Sequence, residues 1–470
     1  MTELSMITAT ELVAGYRGGQ LSPVEATDAA LTAIERFQPA VNAFVLVDPD
    51  GARTAARASE RRWHSGRPLG PLDGVPMSIK DIFLTRGWPT LRGSRLLDAS
   101  GPWDEDAPAV ARLRESGAVF LGKTTTPEFA WKGVTDSARY GATGNPWDAR
   151  RHAGGSSGGS AAAVGLGMGT VSIGTDGGGS VRIPASFTGT TAMKPTYGLI
   201  PLYPPSPFGT LSHAGPMTRT VADAALLLDV ITGFDPRDWS AMPTPTDSFA
   251  DSEIGALTDL RIGFSADLGY VRNDLGVDAA VRAAVAVFAE AGAEITEIDP
   301  GFPDPSEAFH VLWFSAAAKV LQEHEREVDL VDPGLRAIAE QGAELTASDY
   351  LDATATRMGL GVTMGRFHTD HDLLITPTMP ITTFPIGRQA PEGWPSQLWT
   401  SWTPYTLPFN LTQQPALSVP CGFADGLPVG LQIVGRRHAD RTVLRAGRIY
   451  QQRTDWHRQP PKLITDEGTS

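Results

Sequence analysis

Two glycine-rich runs constrain this chain more than any other feature. The first is Gly154-Gly155-Ser156-Ser157-Gly158-Gly159-Ser160. The second is Gly174-Thr175-Asp176-Gly177-Gly178-Gly179-Ser180, and an Ala-rich stretch separates the two. Glycine reaches backbone conformations closed to other residues and lets groups approach its N–H, but it loses the most conformational freedom on folding. Runs of this kind hold a shape only inside a well-packed scaffold. Glycine is 50 of 470 residues, about 11% against a usual ~7%. The excess gathers between Gly141 and Gly198.

The rest of the sequence supplies a scaffold of alternating helices and strands. Ser22-Pro23-Val24-Glu25 joins a Ser cap, Pro in the first turn and Glu three residues after the cap, which predicts a helix running to about Phe37. A second helix is expected from about Asp50 to His64. Val75 to Ile79 reads as a strand with Lys80 at its end, Asp106 to Ser116 as a helix, and Ala118 to Leu121 and Val171 to Gly174 as buried strands. In the C-terminal half, Val277, Val281, Val285 and Phe288 sit at helical spacing. Leu260 to Phe264, Glu294 to Ile298, Leu373 to Thr376, Ala416 to Val419 and Val429 to Val434 read as strands. The alternation predicts an α/β sandwich around a mixed sheet. Asp235 to Thr258, rich in Pro, Asp, Ser and Thr, is expected to be a long surface connection inside one domain spanning 1–470.

Charge and cysteine content narrow the partners. The 39 Lys+Arg against 53 Asp+Glu give a net charge of −14, which argues against a phosphate-binding surface and hence a nucleic-acid partner. The single cysteine, Cys421, forbids an intrachain disulfide, fits a reducing cytoplasmic setting and is expected in the core. Met1 to Arg17 carries Glu3 and Glu11 without a basic stretch and apolar core, so no signal peptide is expected. The longest apolar candidate, Ala161 to Val171, is short and broken by glycine, so no membrane span is expected.

The glycine runs admit three chemical readings. Gly117 to Thr124 fits a P-loop pattern, but its middle is an apolar strand rather than an open phosphate cradle. Gly155-Ser156-Ser157-Gly158-Gly159 fits a nucleophile elbow on Ser157, yet the preceding Asn145 to His152 reads as loop where that motif needs a strand. The third reading is an acyl-transfer site. Bare N–H groups of Gly177, Gly178 and Gly179 directly before Ser180 form a nest for a developing oxyanion beside a nucleophile. His213 lies near that pocket without a catalytic assignment. His368 and His371 have a metal-like gap but no Cys or Glu cluster beside them, so neither a metal nor another cofactor is expected.

Taken together, three stretches resemble the amidase-signature family: Gly74-Val75-Pro76-Met77-Ser78-Ile79-Lys80-Asp81, Gly154 through Ser160, and Gly174 through Ser186 followed by Lys194-Pro195-Thr196-Tyr197-Gly198. Asn145-Pro146-Trp147-Asp148, Gly215-Pro216-Met217-Thr218-Arg219 and Leu427-Pro428-Val429-Gly430-Leu431-Gln432 fit as well. The resemblance covers about 8–455, with a signature core at about 70–220. It implies a central twisted mixed sheet covered by helices on both faces, and amide hydrolysis by a Ser–Ser–Lys triad. Ser180 would be the nucleophile, Ser156 the bridging serine after a cis peptide from Gly155, and Lys80 the final base. The oxyanion would rest on N–H groups of Gly177, Gly178, Gly179 and Ser180. Asp176 and Arg182 are expected to position the loop, and Ser157 and Ser160 to act as local hydrogen-bonders or helix caps. Monomers and homodimers both occur in the family.

The substrate is less constrained. In the glutamine-hydrolysing subunits of tRNA-dependent amidotransferases an acidic residue of the C-terminal segment holds the glutamine amino group. Thr403 stands near that place, and no Asp or Glu lies between Glu392 and Asp425. Aromatic residues crowd the same region, and Trp131, Tyr140, Trp399, Trp402 and Tyr405, with Trp394 and Phe409, are expected to line an apolar pocket or the core beside it. Such a pocket suits small neutral aryl or alkyl amides, with esters and carbamates (urethanes) as related substrates. The alternatives are the glutamine amidohydrolase component of a tRNA-dependent amidotransferase and a catalytically silent binding protein.

Overall fold

The computed structural model of the protein describes residues 4–251 and 255–465. The start of the 1–17 segment, residues 252–254 of the Asp235 to Thr258 connection and the two ends of the 1–470 domain lie outside the described residues.

Eleven strands form one sheet. Their order is Phe44–Val47, Val119–Thr124, Pro76–Lys80, Val171–Asp176, His213–Thr218, Thr191–Lys194, Ala416–Ala424, Leu427–Gly435, Leu373–Pro377, Arg261–Phe264 and Glu294–Glu297. Pro76–Lys80 runs parallel to both neighbours, as does Arg261–Phe264, and the remaining pairs are antiparallel. The sheet is mixed, as expected. Pairing of Thr191–Lys194 with Ala416–Ala424 joins the two halves of the chain beside the glycine runs.

Side chains along a strand alternate between faces, and alternate residues here enter different cores. Leu373 and Ile375 pack with Val277, Val281 and Phe288 of the helix Leu275–Glu290. Leu374, between them, packs with Phe187 of the helix Arg182–Thr188 and Phe309 of the helix Ser306–Gln322. Helices therefore cover both faces of the sheet.

Local signals set the element ends. Ser22 Oγ accepts from the Val24 N–H at 3.0 Å, and the Ser22 N–H donates to Glu25 at 3.1 Å. The helix they start runs over Pro23–Val41, a turn past the expected Phe37, and stops at Asn42 in the left-handed region (φ 49°). The strand expected at Val75 to Ile79 is Pro76–Lys80, so Lys80 stands inside the ladder opposite Thr124. The P-loop-like stretch is the fully buried strand Val119–Thr124. Helices also fill a stretch where the sequence predicts no element: Ser306–Gln322, Pro333–Glu344 and Ala347–Asp370. Among the described residues, no helix is long and apolar enough to cross a membrane.

Candidate active site

Lys80 is fully buried, and its Nζ is ringed by hydroxyls: Ser156 Oγ at 2.7 Å, Ser157 Oγ at 2.9 Å and Thr175 Oγ1 at 2.8 Å. Burial pushes this amine well below the ordinary lysine range, and the Asp176 carboxylate opposes the shift only in part. A neutral amine offers two N–H groups and one lone pair. The Ser157 hydroxyl donates to the Thr175 carbonyl at 3.2 Å, so its oxygen accepts from Lys80. The other N–H and the lone pair are shared by Thr175 and Ser156. Ser156 Oγ has no other partner among the described residues, which leaves its proton free to move to Nζ.

Glycine is required around this cluster for steric reasons. A Cβ on Gly155 would lie 2.5 Å from the carbonyl carbon of Val134, so a second backbone occupies the side-chain space. The Gly155–Ser156 peptide is cis, the conformation implied by the resemblance. Ser157 precedes the helix Gly158–Gly165 without making a side-chain cap, because its hydroxyl is turned to Lys80. Ser160 bonds Thr124 Oγ1 at 2.8 Å.

The loop bearing Ser180 is built around one carboxylate. Asp176 is fully buried and accepts from the Gly179 N–H at 2.7 Å and the Val181 N–H at 3.3 Å. It also takes Arg182 through Nε and Nη2, each at 2.9 Å, and Asn410 Nδ2 at 2.9 Å. Burial opposes ionisation of Asp176, but the Arg182 guanidinium together with Lys194 and Asn410 outweighs it and holds the carboxyl far below the usual range. This corrects the expected oxyanion set. The Gly179 N–H is already donated to Asp176, so it has no hydrogen left for a ligand. The N–H groups of Gly177, Gly178 and Ser180 donate to no acceptor among the described residues.

Ser180 Oγ has no hydrogen-bond partner among the described residues and fronts a cavity of about 80 Å³. Ser156, Thr175 and Gly177 line the same cavity. The Ser157 N–H donates to the Ser180 carbonyl at 3.1 Å, tying the two glycine runs together. A hydroxyl open to a pocket, an amine whose charged form burial disfavours behind a second hydroxyl, and undonated N–H groups beside the first are the parts that acyl transfer to serine requires.

Comparison with known proteins gives the family. The family profile described as Amidase matches residues 25–444. The chain belongs to the amidase family. It is 39% identical to a glutamyl-tRNA(Gln) amidotransferase component of Chloroflexus aurantiacus, over 99% of this chain and 100% of that one. It is 38% identical to an acylamidase of Rhodococcus erythropolis, over 98% of each. Among solved structures, a bacterial aryl acylamidase of the amidase-signature family superposes with a TM-score of 0.89 at 30% identity, covering 97% of this chain and 98% of that one. An amide C–N hydrolase is the activity these relatives and the fold support.

The amidase cavity is not lined by the aromatic residues expected from the sequence. Trp131, Tyr140, Trp399, Trp402 and Tyr405 all lie off its wall. Trp402 and Tyr405 are fully buried in the core, where the Trp402 indole donates to the Gln389 carbonyl and the Tyr405 hydroxyl to the Ala266 carbonyl. Trp399 stands one layer back, edge-on to Trp313 at 5.6 Å. Trp131 is buried against Gly334, and Tyr140 is half-buried beside Arg139. Trp394 and Phe409 join the same core. The apolar wall comes instead from Phe83, Phe129, Phe208, Trp313 and the proline-rich run Leu202 to Pro207. Phe208 and Trp313 stack at 3.8 Å. The only sequence signal for this wall is the density of proline just after the signature core, which stiffens backbone at fixed φ.

Thr175 and Ser157, the other two hydroxyls on Lys80, carry no sequence signal of that contact. The His213 Nδ1–H donates to the carbonyls of Leu211 at 2.8 Å and Asp176 at 3.2 Å, and its ring is off the cavity. His368 bonds Gln414 and the His371 carbonyl.

Proposed function

We propose that the protein hydrolyses amides carrying an apolar aryl or alkyl group next to the scissile C–N bond, through an acyl-enzyme on Ser180. The observation that carries the reading is the fully buried Lys80 amine, 2.7 Å from a serine that shares the Ser180 cavity. Ser180 attacks the carbonyl carbon while its proton passes to Ser156, whose own proton moves to Lys80. Hydrogen bonds of this kind are often long before substrate arrives and tighten in the complex. The oxyanion then faces the N–H groups of Gly177, Gly178 and Ser180. Return of the proton along the same route gives the departing nitrogen the hydrogen it needs, and water repeats the cycle on the ester. Esters and carbamates enter the same path.

The preference against glutamine rests on charge. No carboxylate lines the cavity among the described residues, and Thr403 is buried off it, bonding the Trp399 carbonyl at 3.3 Å. A glutamine ammonium placed there would lose its water without gaining a partner. A panel of p-nitroanilide, p-nitrophenyl ester, aryl carbamate and L-glutamine checks this by kcat/KM. The expected result is turnover of the aryl substrates with glutamine at least about a hundredfold poorer, the size of one uncompensated buried charge contact. Preferential glutaminase activity would overturn the substrate assignment.

A further inference from the structure

Arg92 lines the Ser180 cavity, and the proposed reaction makes no use of it. Its residue is half-buried, yet among the described residues its guanidinium has neither a hydrogen bond nor an ion pair. The one carboxylate within electrostatic reach, Asp81, is already engaged. It pairs with Lys123 at 2.9 Å and accepts the Leu91 N–H at 3.2 Å. Nearby cationic centres are accounted for in the same way. Burial disfavours the charged form of Lys80, whose Nζ is enclosed by three hydroxyls, and Arg182 pairs with Asp176 at 2.9 Å. The cavity lining thus includes one arginine without an ion pair among the described residues, beside hydroxyl and apolar residues and no carboxylate.

The backbone underneath is fixed to present it. Arg92 sits in the left-handed region at φ 51°, followed by Gly93 at φ 66°. The Phe129 N–H donates to the Arg92 carbonyl at 2.8 Å. A non-glycine residue held there is sparsely populated, and such residues gather at ligand sites. A planar guanidinium with its donors unspent matches a carboxylate, which it binds through two parallel hydrogen bonds.

We infer that Arg92 binds a carboxylate at the end of the substrate remote from the scissile bond, so that the preferred substrates are apolar amides bearing one negative charge. This rests on the amidase reading and narrows it from wholly neutral amides to monoanionic ones. It also separates the protein from a glutaminase, whose zwitterionic substrate needs an acidic partner as well.

Matched substrate pairs test the inference. Glutaryl p-nitroanilide against valeryl p-nitroanilide places the charge on the acyl side, and N-acetyl-4-aminobenzoate against acetanilide places it on the amine side. Wild type is expected to favour the charged member of at least one pair by about ten- to a hundredfold in kcat/KM, the range of a hydrogen bond to a charged group. Arg92→Met should erase that ratio through the KM of the charged member, and thermal unfolding of the same sample reports that the variant is folded. Arg92→Lys should retain part of the preference as a point charge without the fork. Two results would overturn the inference: no charge preference in wild type for either pair, or a preference that survives Arg92→Met. Turnover of uncharged members without any preference strikes this inference alone. Absence of all turnover strikes the amidase reading beneath it.

Discussion

Ser180→Ala is expected to lower kcat/KM on any substrate of the panel by about 10⁴- to 10⁶-fold, the scale at which serine nucleophiles fail. The protein should stay folded. Ser180 Oγ makes no hydrogen bond among the described residues, so the change leaves no buried partner unsatisfied. The loop around it is held by backbone and side-chain bonds to Asp176 that the substitution does not touch. Steady-state kinetics with thermal unfolding of the same sample separates the two quantities. A loss of activity accompanied by an equal loss of fold would contradict the assignment.

Lys80→Met is expected to cost about 10⁴-fold or more, and the double variant with Ser180→Ala no more than either single one, because members of one proton relay fail together. Methionine fills nearly the same volume without the amine, although three hydroxyls lose a partner, so some destabilisation accompanies the change. The pH dependence follows from the same group. Lys80 must be unprotonated to accept the Ser156 proton, and burial lowers its pKa. Activity of the wild type therefore rises with pH through a single ionisation placed well below the ordinary lysine range, and falls as acid protonates the amine. A pH–kcat/KM profile whose acid limb lies at the ordinary lysine pKa would contradict the buried-base account. Lys80→Arg tests the sign directly: a guanidinium stays protonated throughout and should not restore activity at any pH.

What the sequence discloses, and what it withholds, divides along physical lines. The first long helix is legible because its start is written locally in Ser22, Pro23 and Glu25. The buried strands are legible because both faces of the sheet are covered, so their residues run apolar. The helix Ala347–Asp370 is not, since it exposes Leu351, Met358 and Val362 and its apolar period is blurred. Strand order is equally hidden: nothing local says that Thr191–Lys194 will lie beside Ala416–Ala424.

The site shows the same division. Lys80, Ser156 and Ser180 are marked by the motifs around them, and the fold brings Lys80 against Ser156 and sets Ser156 and Ser180 on one cavity. Which N–H groups remain available depends on where the Asp176 side chain turns, and spacing alone does not tell that Gly179 is taken. The choice of aromatic wall depends on tertiary packing. Trp399 and Trp402 are large enough to line a pocket or fill a core, and here they lie behind Trp313 and against Phe187.

The proposed reaction turns on Ser180 as the residue that becomes acylated. Reaction of the whole protein with a fluorophosphonate, followed by peptide mapping of the adduct, addresses this without knowledge of the natural substrate. The predicted result is a single adduct on Ser180 that disappears in Ser180→Ala. An adduct on Ser157, or labelling that persists in Ser180→Ala, would contradict it.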